Sequence, residues 1–178
     1  MPNAECSNRR FDGGVRPEQD ADKSPIRAVH RAAFGREDEG RLVDALRDAD
    51  ALIASIVAVS GDRIVGHALF GQVWIDSENG SPAIASLAPI AVLPSHQRTG
   101  IGSALMRHGI AACADAGYGA LIVVGHPAYY PRFGFSANAV AHLESPYAGG
   151  GFMGLDLRPR FLASIRGTVR YPAAFADL

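Results

Sequence analysis

The run Gln97-Arg98-Thr99-Gly100-Ile101-Gly102-Ser103 follows the apolar stretch Ile90-Ala91-Val92-Leu93-Pro94 and carries two glycines where a strand gives way to a helix. Glycine lets the backbone approach a ligand closely, and the first-turn N–H groups and dipole of the helix point at an anion, so the natural guest is a phosphate or pyrophosphate. Just upstream, Pro89 interrupts Ser86-Leu87-Ala88-Pro89-Ile90. Proline removes a ladder donor, which predicts a bulge or a local parting of strands and leaves backbone groups of Ile90, Ala91 and Val92 to pair with something other than protein. Downstream, Tyr129-Tyr130 offers phenols, and His126 offers an imidazole whose ordinary pKa suits acid–base work.

Other anion-binding loops fit less well. A Walker A loop needs Lys and Ser/Thr directly after its last glycine, but Gly102 is followed by Ser103-Ala104. A dinucleotide fingerprint needs a small residue three positions after the second glycine, and that position is Leu105. Gly100-x-Gly102 by itself is also compatible with a glycine-rich turn that merely starts a helix. Cys113 is a nucleophile in principle, but it sits in an apolar helical pattern and reads as a packed core thiol.

The elements that hold these residues follow from periodicity. Val15-Arg16-Pro17 reads as a short edge strand after a polar leader over residues 1–14. Ile26, Val29, Ala33 and Phe34 have helical spacing, with Ser24 as candidate N-cap, Pro25 in the first turn and Gly35 as terminator. A second helix begins near Glu37 to Glu39, whose carboxylates suit the positive end of its dipole, and its apolar face is Leu42, Leu46 and Ala49; the opposite face reads as solvated. Leu52 to Ser60 and Ile64 to Ile75, joined at Gly61-Asp62-Arg63, predict an antiparallel hairpin, with Ala83 to Leu93 as a third strand. A helix from about Ile101 to Ala116, a buried strand Ala120 to Val124, a short helical segment around Ala128 to Phe133 and a last strand at Phe152 to Leu157 complete the order. Two strands joined through a helix are parallel neighbours, so the sheet is mixed, with helices on its faces.

The chain has 178 residues, with 17 Lys and Arg against 18 Asp and Glu, for a net charge of −1. That argues against a strongly basic nucleic-acid binder, and 48% hydrophobic residues are enough for one globular core. Cys6 and Cys113 make neither a disulfide framework nor a zinc site. The N-terminal residues lack the apolar stretch of a signal peptide, and the longest apolar runs fall short of the roughly 18 residues that cross a bilayer. The expected setting is cytoplasmic.

Taken together, the motif Gln97 to Gly102 after Ile90 to Pro94 resembles the acetyl-CoA-binding motif of the GNAT family, the GCN5-related N-acetyltransferases. Ala128-Tyr129-Tyr130-Pro131-Arg132-Phe133-Gly134-Phe135 is similar to the family's short fourth helix and Gly-Phe turn. Gly125 to Tyr130 and Gly167 to Pro172 are similar to the YhbS-like branch. The resemblance covers about Val15 to Leu157, within a single domain over residues 15–178. It implies a GNAT fold of the α/β (α+β) class: a mixed, mostly antiparallel sheet flanked by helices, whose fourth and fifth strands run parallel and splay to hold CoA.

The resemblance further implies that Ile90, Ala91 and Val92 pair with pantetheine amides while the loop of Gln97, Arg98, Thr99, Gly100, Ile101, Gly102 and Ser103 cradles the pyrophosphate. Tyr130 takes the family's frequent role of general acid, against the reading that it is a core aromatic, and Tyr129 reads as packing. No metal is implied. The activity implied is transfer of acetyl from acetyl-CoA directly to a primary amine of a small-molecule or peptide/protein acceptor. The rival is a CoA-binding regulatory module without catalysis, motivated by the strand Leu121-Ile122-Val123-Val124, which has no acid. His126 is the leading candidate base, ahead of His67, Ser86 and Glu144. Asp76, Glu78 and Glu144 are weighed as attractors of a cationic amine against ordinary surface carboxylates. Ser145 to Gly151 reads as a loop over the acceptor side. Neither nucleic acid nor membrane is expected as a partner, and a homodimer fits the family's habit.

Overall fold

The computed structural model describes residues 11–49, 51–78 and 80–177, so Cys6 and most of the expected leader lie outside the described residues. Phe11 donates its N–H to the Thr99 carbonyl at 3.0 Å, and β1 (Gly14–Pro17) pairs antiparallel with β2 (Leu52–Ser60). Between them come α1 (Lys23–Phe34) and α2 (Asp38–Asp48). Gly35 ends α1 in the left-handed conformation, as the sequence predicts, with its N–H on the Arg31 carbonyl. Ser24 is not the N-cap: the helix begins a residue before it, and Asp22 takes the cap position with its carboxylate committed to Arg16 and the Gln19 N–H.

The hairpin of β2 with β3 (Arg63–Asp76) continues into β4 (Ala83–Val92), all antiparallel. Then follow α3 (Ile101–Asp115) and β5 (Ala120–Val124), the latter parallel to β4. The expected short helix is a single tight turn over Tyr130–Phe133. β6 (Leu143–Glu144) and β7 (Phe152–Asp156) come next, followed by α4 (Phe161–Ser164) and β8 (Gly167–Arg170). The main path through the sheet is β1-β2-β3-β4-β5-β7, and β8 lies on the far end of β3 beside β6. The fold is therefore a mixed, mostly antiparallel sheet flanked by helices, with one parallel β4/β5 pair.

The strand at Phe152 is not the last one, as periodicity suggested. β8 buries only Val169 and is too short to show alternation; it finds its place because β2 pairing stops at Gly71, leaving the Trp74–Asp76 edge of β3 to pair with it. Side-chain alternation sends Ile56, Ala68 and Phe70 to the α3 face and Val57 and Leu69 to the α1/α2 face. On the first face α3 lies directly on the sheet, since a Cβ at Gly109 would fall 1.9 Å from the Phe70 ring. Among the described residues no helix is long and apolar enough to cross a membrane.

Candidate functional site

Pro89 does what its chemistry requires. Between the pairs Ala68↔Ile90 and Phe70↔Leu87, β3 advances two residues while β4 advances three, a bulge centred on Ala88-Pro89. The other edge of β4 pairs with β5 only at Ala85↔Leu121 and Ser86↔Ile122. Beyond that the strands part: β5 goes on beside β7 as far as Val124↔Phe152, while β4 runs to Val92 with nothing of the sheet on that side.

A cavity of about 1070 Å³ occupies the gap. Its wall includes Ser86 to Val92, Gln97, Arg98, Gly100, Gly102, Ser103, Val123 to His126, Tyr129 and Tyr130. Ile90, Ala91, Val92, five residues of the loop and Tyr130 therefore share one cavity. The remaining two loop side chains turn to protein: Ile101 is core, and the Thr99 hydroxyl donates to the His96 carbonyl at 2.7 Å.

The loop is held in an unusual shape. Arg98 has φ +61° and Gly100 φ +99°, both left-handed, and α3 starts at the next residue. Such a conformation is costly for a residue with a Cβ, so Arg98 is a site of local strain at the mouth of a helix. The Gln97 side-chain amide donates to the Val92 carbonyl at 3.1 Å, tying the loop to the end of β4.

Two aromatic residues close the wall at β5. A Cβ at Gly125 would meet the Tyr130 ring at 2.4 Å, and a Cβ at Gly102 would meet the Tyr129 hydroxyl at 2.9 Å. The Tyr129 hydroxyl thus lies against the first turn of α3, while its ring packs on Tyr130 and Phe133. Tyr130 is 8% exposed. Burial first, and then Tyr129, pushes its phenol up to about 12, so it is fully protonated near neutral pH.

His126 lines the cavity and is exposed, and Ser86 lines it from β4. His67 does not. It is sealed under α1, hydrogen-bonded through Nδ1 to His30 Nε2 and through Nε2 to Ser55 Oγ, each at 2.8 Å. Ser55 in turn donates to Glu18, which also pairs with Arg47. Burial holds both imidazoles below their ordinary value, His30 at about 3. The three carboxylates weighed for the acceptor lie outside the cavity wall: Asp76 pairs with Arg170 at 2.8 Å, Glu144 accepts from Thr168 at 2.8 Å, and Glu78 is exposed. Cys113 is core, its thiol pushed up to about 12 by burial. Among the described residues no group of three or more His, Cys, Asp or Glu side chains is placed to hold a metal ion.

Of the opposite wall, sequence reasoning offers only the Ser145 to Gly151 loop, which contributes Tyr147, and misses the rest. Phe34 comes from α1, Arg36 from the turn after it, Glu39 and Leu42 from α2, and Tyr147, Tyr171 and Phe175 from the C-terminal quarter. Glu39, expected only as a carboxylate at the positive end of the α2 dipole, is 5% exposed. The available signal was aromatic: Tyr147 and Tyr171 stand in glycine- and proline-rich stretches that give no periodic reason for a large ring.

Residues 14–137 match the acetyltransferase (GNAT) domain family, more than half of the chain. The chain belongs to the GNAT acetyltransferase family. This GNAT enzyme is an acetyl-CoA-dependent N-acyltransferase. It is 38% identical over 117 residues to the uncharacterised N-acetyltransferase YjhQ of Escherichia coli K12, a match covering 65% of each chain, so just under two thirds of that relative. It is 29% identical over 164 residues to the uncharacterised N-acetyltransferase YhbS of the same strain, covering 90% of this chain and 97% of YhbS.

Among solved structures, the GNAT enzyme superposes on a Brucella melitensis GNAT acetyltransferase in complex with acetyl-CoA, with TM-score 0.78, 34% identity and coverage of 93% of this chain and 99% of that one. On E. coli YhbS in complex with CoA the values are 0.84, 28% and 92% of each chain.

Proposed function

We propose that this acetyltransferase moves acetyl from acetyl-CoA directly to a primary amine of a small-molecule or peptide/protein acceptor, with no covalent enzyme intermediate. The observation that carries the reading is the parting of β4 from β5 inside a cavity that ends at the N-terminus of α3. An edge strand with unpaired backbone groups accepts an extended amide-bearing chain as an added strand, so Ile90, Ala91 and Val92 hold the pantetheine arm. The amides of Arg98 to Ser103 and the α3 dipole hold the pyrophosphate, and glycine at 100 and 102 keeps side chains out of the way. Acetyl-CoA supplies an activated thioester. That relatives are crystallised with acetyl-CoA and CoA agrees with this use of the cavity.

Tyr130 is the group we assign to the departing sulfur. A phenol near 12 is a weaker acid than a thiol near 8.5, so full proton transfer is uphill by roughly 5 kcal/mol. Its contribution is therefore a hydrogen bond that strengthens as charge develops on sulfur, in a site dry enough for that bond to count. The inert state of Cys113 fits direct transfer.

The test is thermal unfolding with and without acetyl-CoA, using NAD as control ligand, followed by CoA release with amines added. At about a hundredfold over Kd, acetyl-CoA adds roughly 2.7 kcal/mol, a shift of roughly 5 to 11 °C for a chain of this length. A shift with NAD alone would overturn the reading. Acetyl-CoA binding without sustained, amine-dependent CoA release would leave only a CoA-binding module.

A further inference from the structure

The cavity is electrically lopsided. Toward α3 its charged side chains are cationic: Arg98 in the loop, and Arg132 stacked 4.7 Å over the ring of Tyr129. On the α1/α2 side stands Glu39, the only carboxylate in its wall among the described residues, with Arg36 paired to it.

Its partner leaves it half-used. Arg36 directs both Nε, at 3.0 Å, and Nη2, at 2.5 Å, to the same oxygen, Oε1. A guanidinium fork commonly grips both carboxylate oxygens. Here Oε2 is shielded from water and has no hydrogen-bond partner among the described residues. A buried carboxylate oxygen without a donor is costly, and the deficit is cancelled by any ligand that brings N–H groups. A ligand N–H reaches this oxygen when the carboxyl swings part-way about its soft terminal torsion, loosening its contacts with Arg36.

Around this carboxylate, apart from Arg36 and the tyrosine hydroxyls, this side of the wall is apolar. Leu42 packs with Phe175 and Ala88, and Phe175 continues through Tyr171 to Tyr147 in a run of rings 5.1 and 5.0 Å apart. The Tyr147 hydroxyl donates to the Phe175 carbonyl at 3.0 Å and fixes the run across the cavity. Phe34, 43% exposed, stands at the rim.

Resting on the acetyltransferase reading, we propose that Glu39 is the acceptor-recognition residue, and that the acceptor is a primary ammonium carried on an aromatic or long apolar body with no carboxylate beside the amine. The ammonium brings three N–H donors and the charge that the single carboxylate selects, and the ring run takes the body. A carboxylate next to the amine, as in an α-amino acid, would be repelled by Glu39, and Arg36, the cation in the same wall, is already engaged by Glu39 and Asp38. Since Glu39 binds the protonated amine, which is not the nucleophile, its contribution falls on KM rather than on kcat.

The test uses the full chain saturated with acetyl-CoA and follows CoA release with 2-phenylethylamine, tyramine and 4-phenylbutylamine, against phenylalanine and tyrosine as carboxylated counterparts and 2-phenylethanol as a neutral inhibitor. Wild type should acetylate at least one of the amines, with kcat/KM about tenfold or more above the amino acids, and should bind the amine more tightly than the alcohol. Glu39→Gln should raise the amine KM about tenfold, leave kcat equal or higher, move the acid limb of the kcat–pH profile to lower pH and leave the Kd of acetyl-CoA unchanged; Glu39→Asp should restore part of the KM. An unchanged KM in Glu39→Gln, equal use of the amino acids, or turnover of other amines but of none of these three by protein that binds acetyl-CoA would each overturn the proposal. If Glu39→Gln fails to fold, the wild-type ranking of amine, amino acid and alcohol decides it. Failure to bind acetyl-CoA at all would instead overturn the acetyltransferase reading, and this proposal with it.

Discussion

At the α3 end, most of the cavity wall is one stretch of chain, Pro89 to Ser103, and what it offers a ligand is largely backbone: a strand edge, a left-handed loop and a helix N-terminus. At the other end the wall is assembled from α1, α2, the 145–151 loop and the segment after β8, and what it offers is side chains: a carboxylate and aromatic rings. Backbone groups are the same whatever the sequence, so the first end suits a donor that never changes. Side chains on separate segments can be exchanged without disturbing the sheet, so the second end can be fitted to a particular acceptor.

The largest expected effect tests the backbone end. Gly100→Asp and Gly100→Asn carry the same backbone cost at φ +99°, so both should lower Tm by a similar amount. Only Asp sets a charge against the pyrophosphate, and we expect it to weaken acetyl-CoA binding on the order of 100-fold beyond Asn, measured by titration calorimetry. Equal weakening would mean that the loop does not face an anion. The two tyrosines then separate chemistry from binding. Tyr130→Phe should lower kcat by roughly 10- to 100-fold with acetyl-CoA affinity retained. Tyr129→Phe should do the reverse, raising the KM for acetyl-CoA a few-fold with kcat unchanged, because its hydroxyl lies against Gly102. Identical kinetic signatures would erase the distinction.

The smallest effect concerns a third polar cluster that belongs to neither end. His30 holds its folded pKa at about 3, while an unfolded histidine titrates near 6.5. Between these values the unfolded chain binds the extra proton, so stability is complete above pH ~6.5 and is lost as pH falls toward ~3, at about 1.4 kcal/mol per pH unit from this group. Tm should drop by roughly 3 to 6 °C per unit between pH 6.5 and 5. His30→Phe should reduce that slope, leaving the part due to His67, whose pKa burial also lowers, and should leave the kcat–pH profile unmoved, since neither histidine is part of the cavity wall. Glu18, held down to about 2 against the opposing effect of burial by nearby His67 and by hydrogen bonds from Arg47 and Ser55, adds a further loss below pH ~4.5.

How much of this was legible follows from how each part is built. Apolar periodicity placed α1, α2, α3 and the strands from β2 to β5 within a residue or two, because each buries its own face along one continuous segment. Pro89 and the glycines at 100 and 102 announced the bulge and the loop because backbone geometry is written locally, residue by residue. β8 was not legible: with one buried residue, its position depends on where β2 stops pairing with β3. Nor was the use of Glu39, which in sequence is one acid among several at a helix start and by that rule should face water. The sequence alone determined the end of the cavity that we assign to the donor, since its strand edge, loop and helix start lie in one local stretch of chain. Only the tertiary structure decided the acceptor side, because a carboxylate with one oxygen left unpaired and a run of three rings exist only once α2, the 145–151 loop and the last segment have been folded against one another.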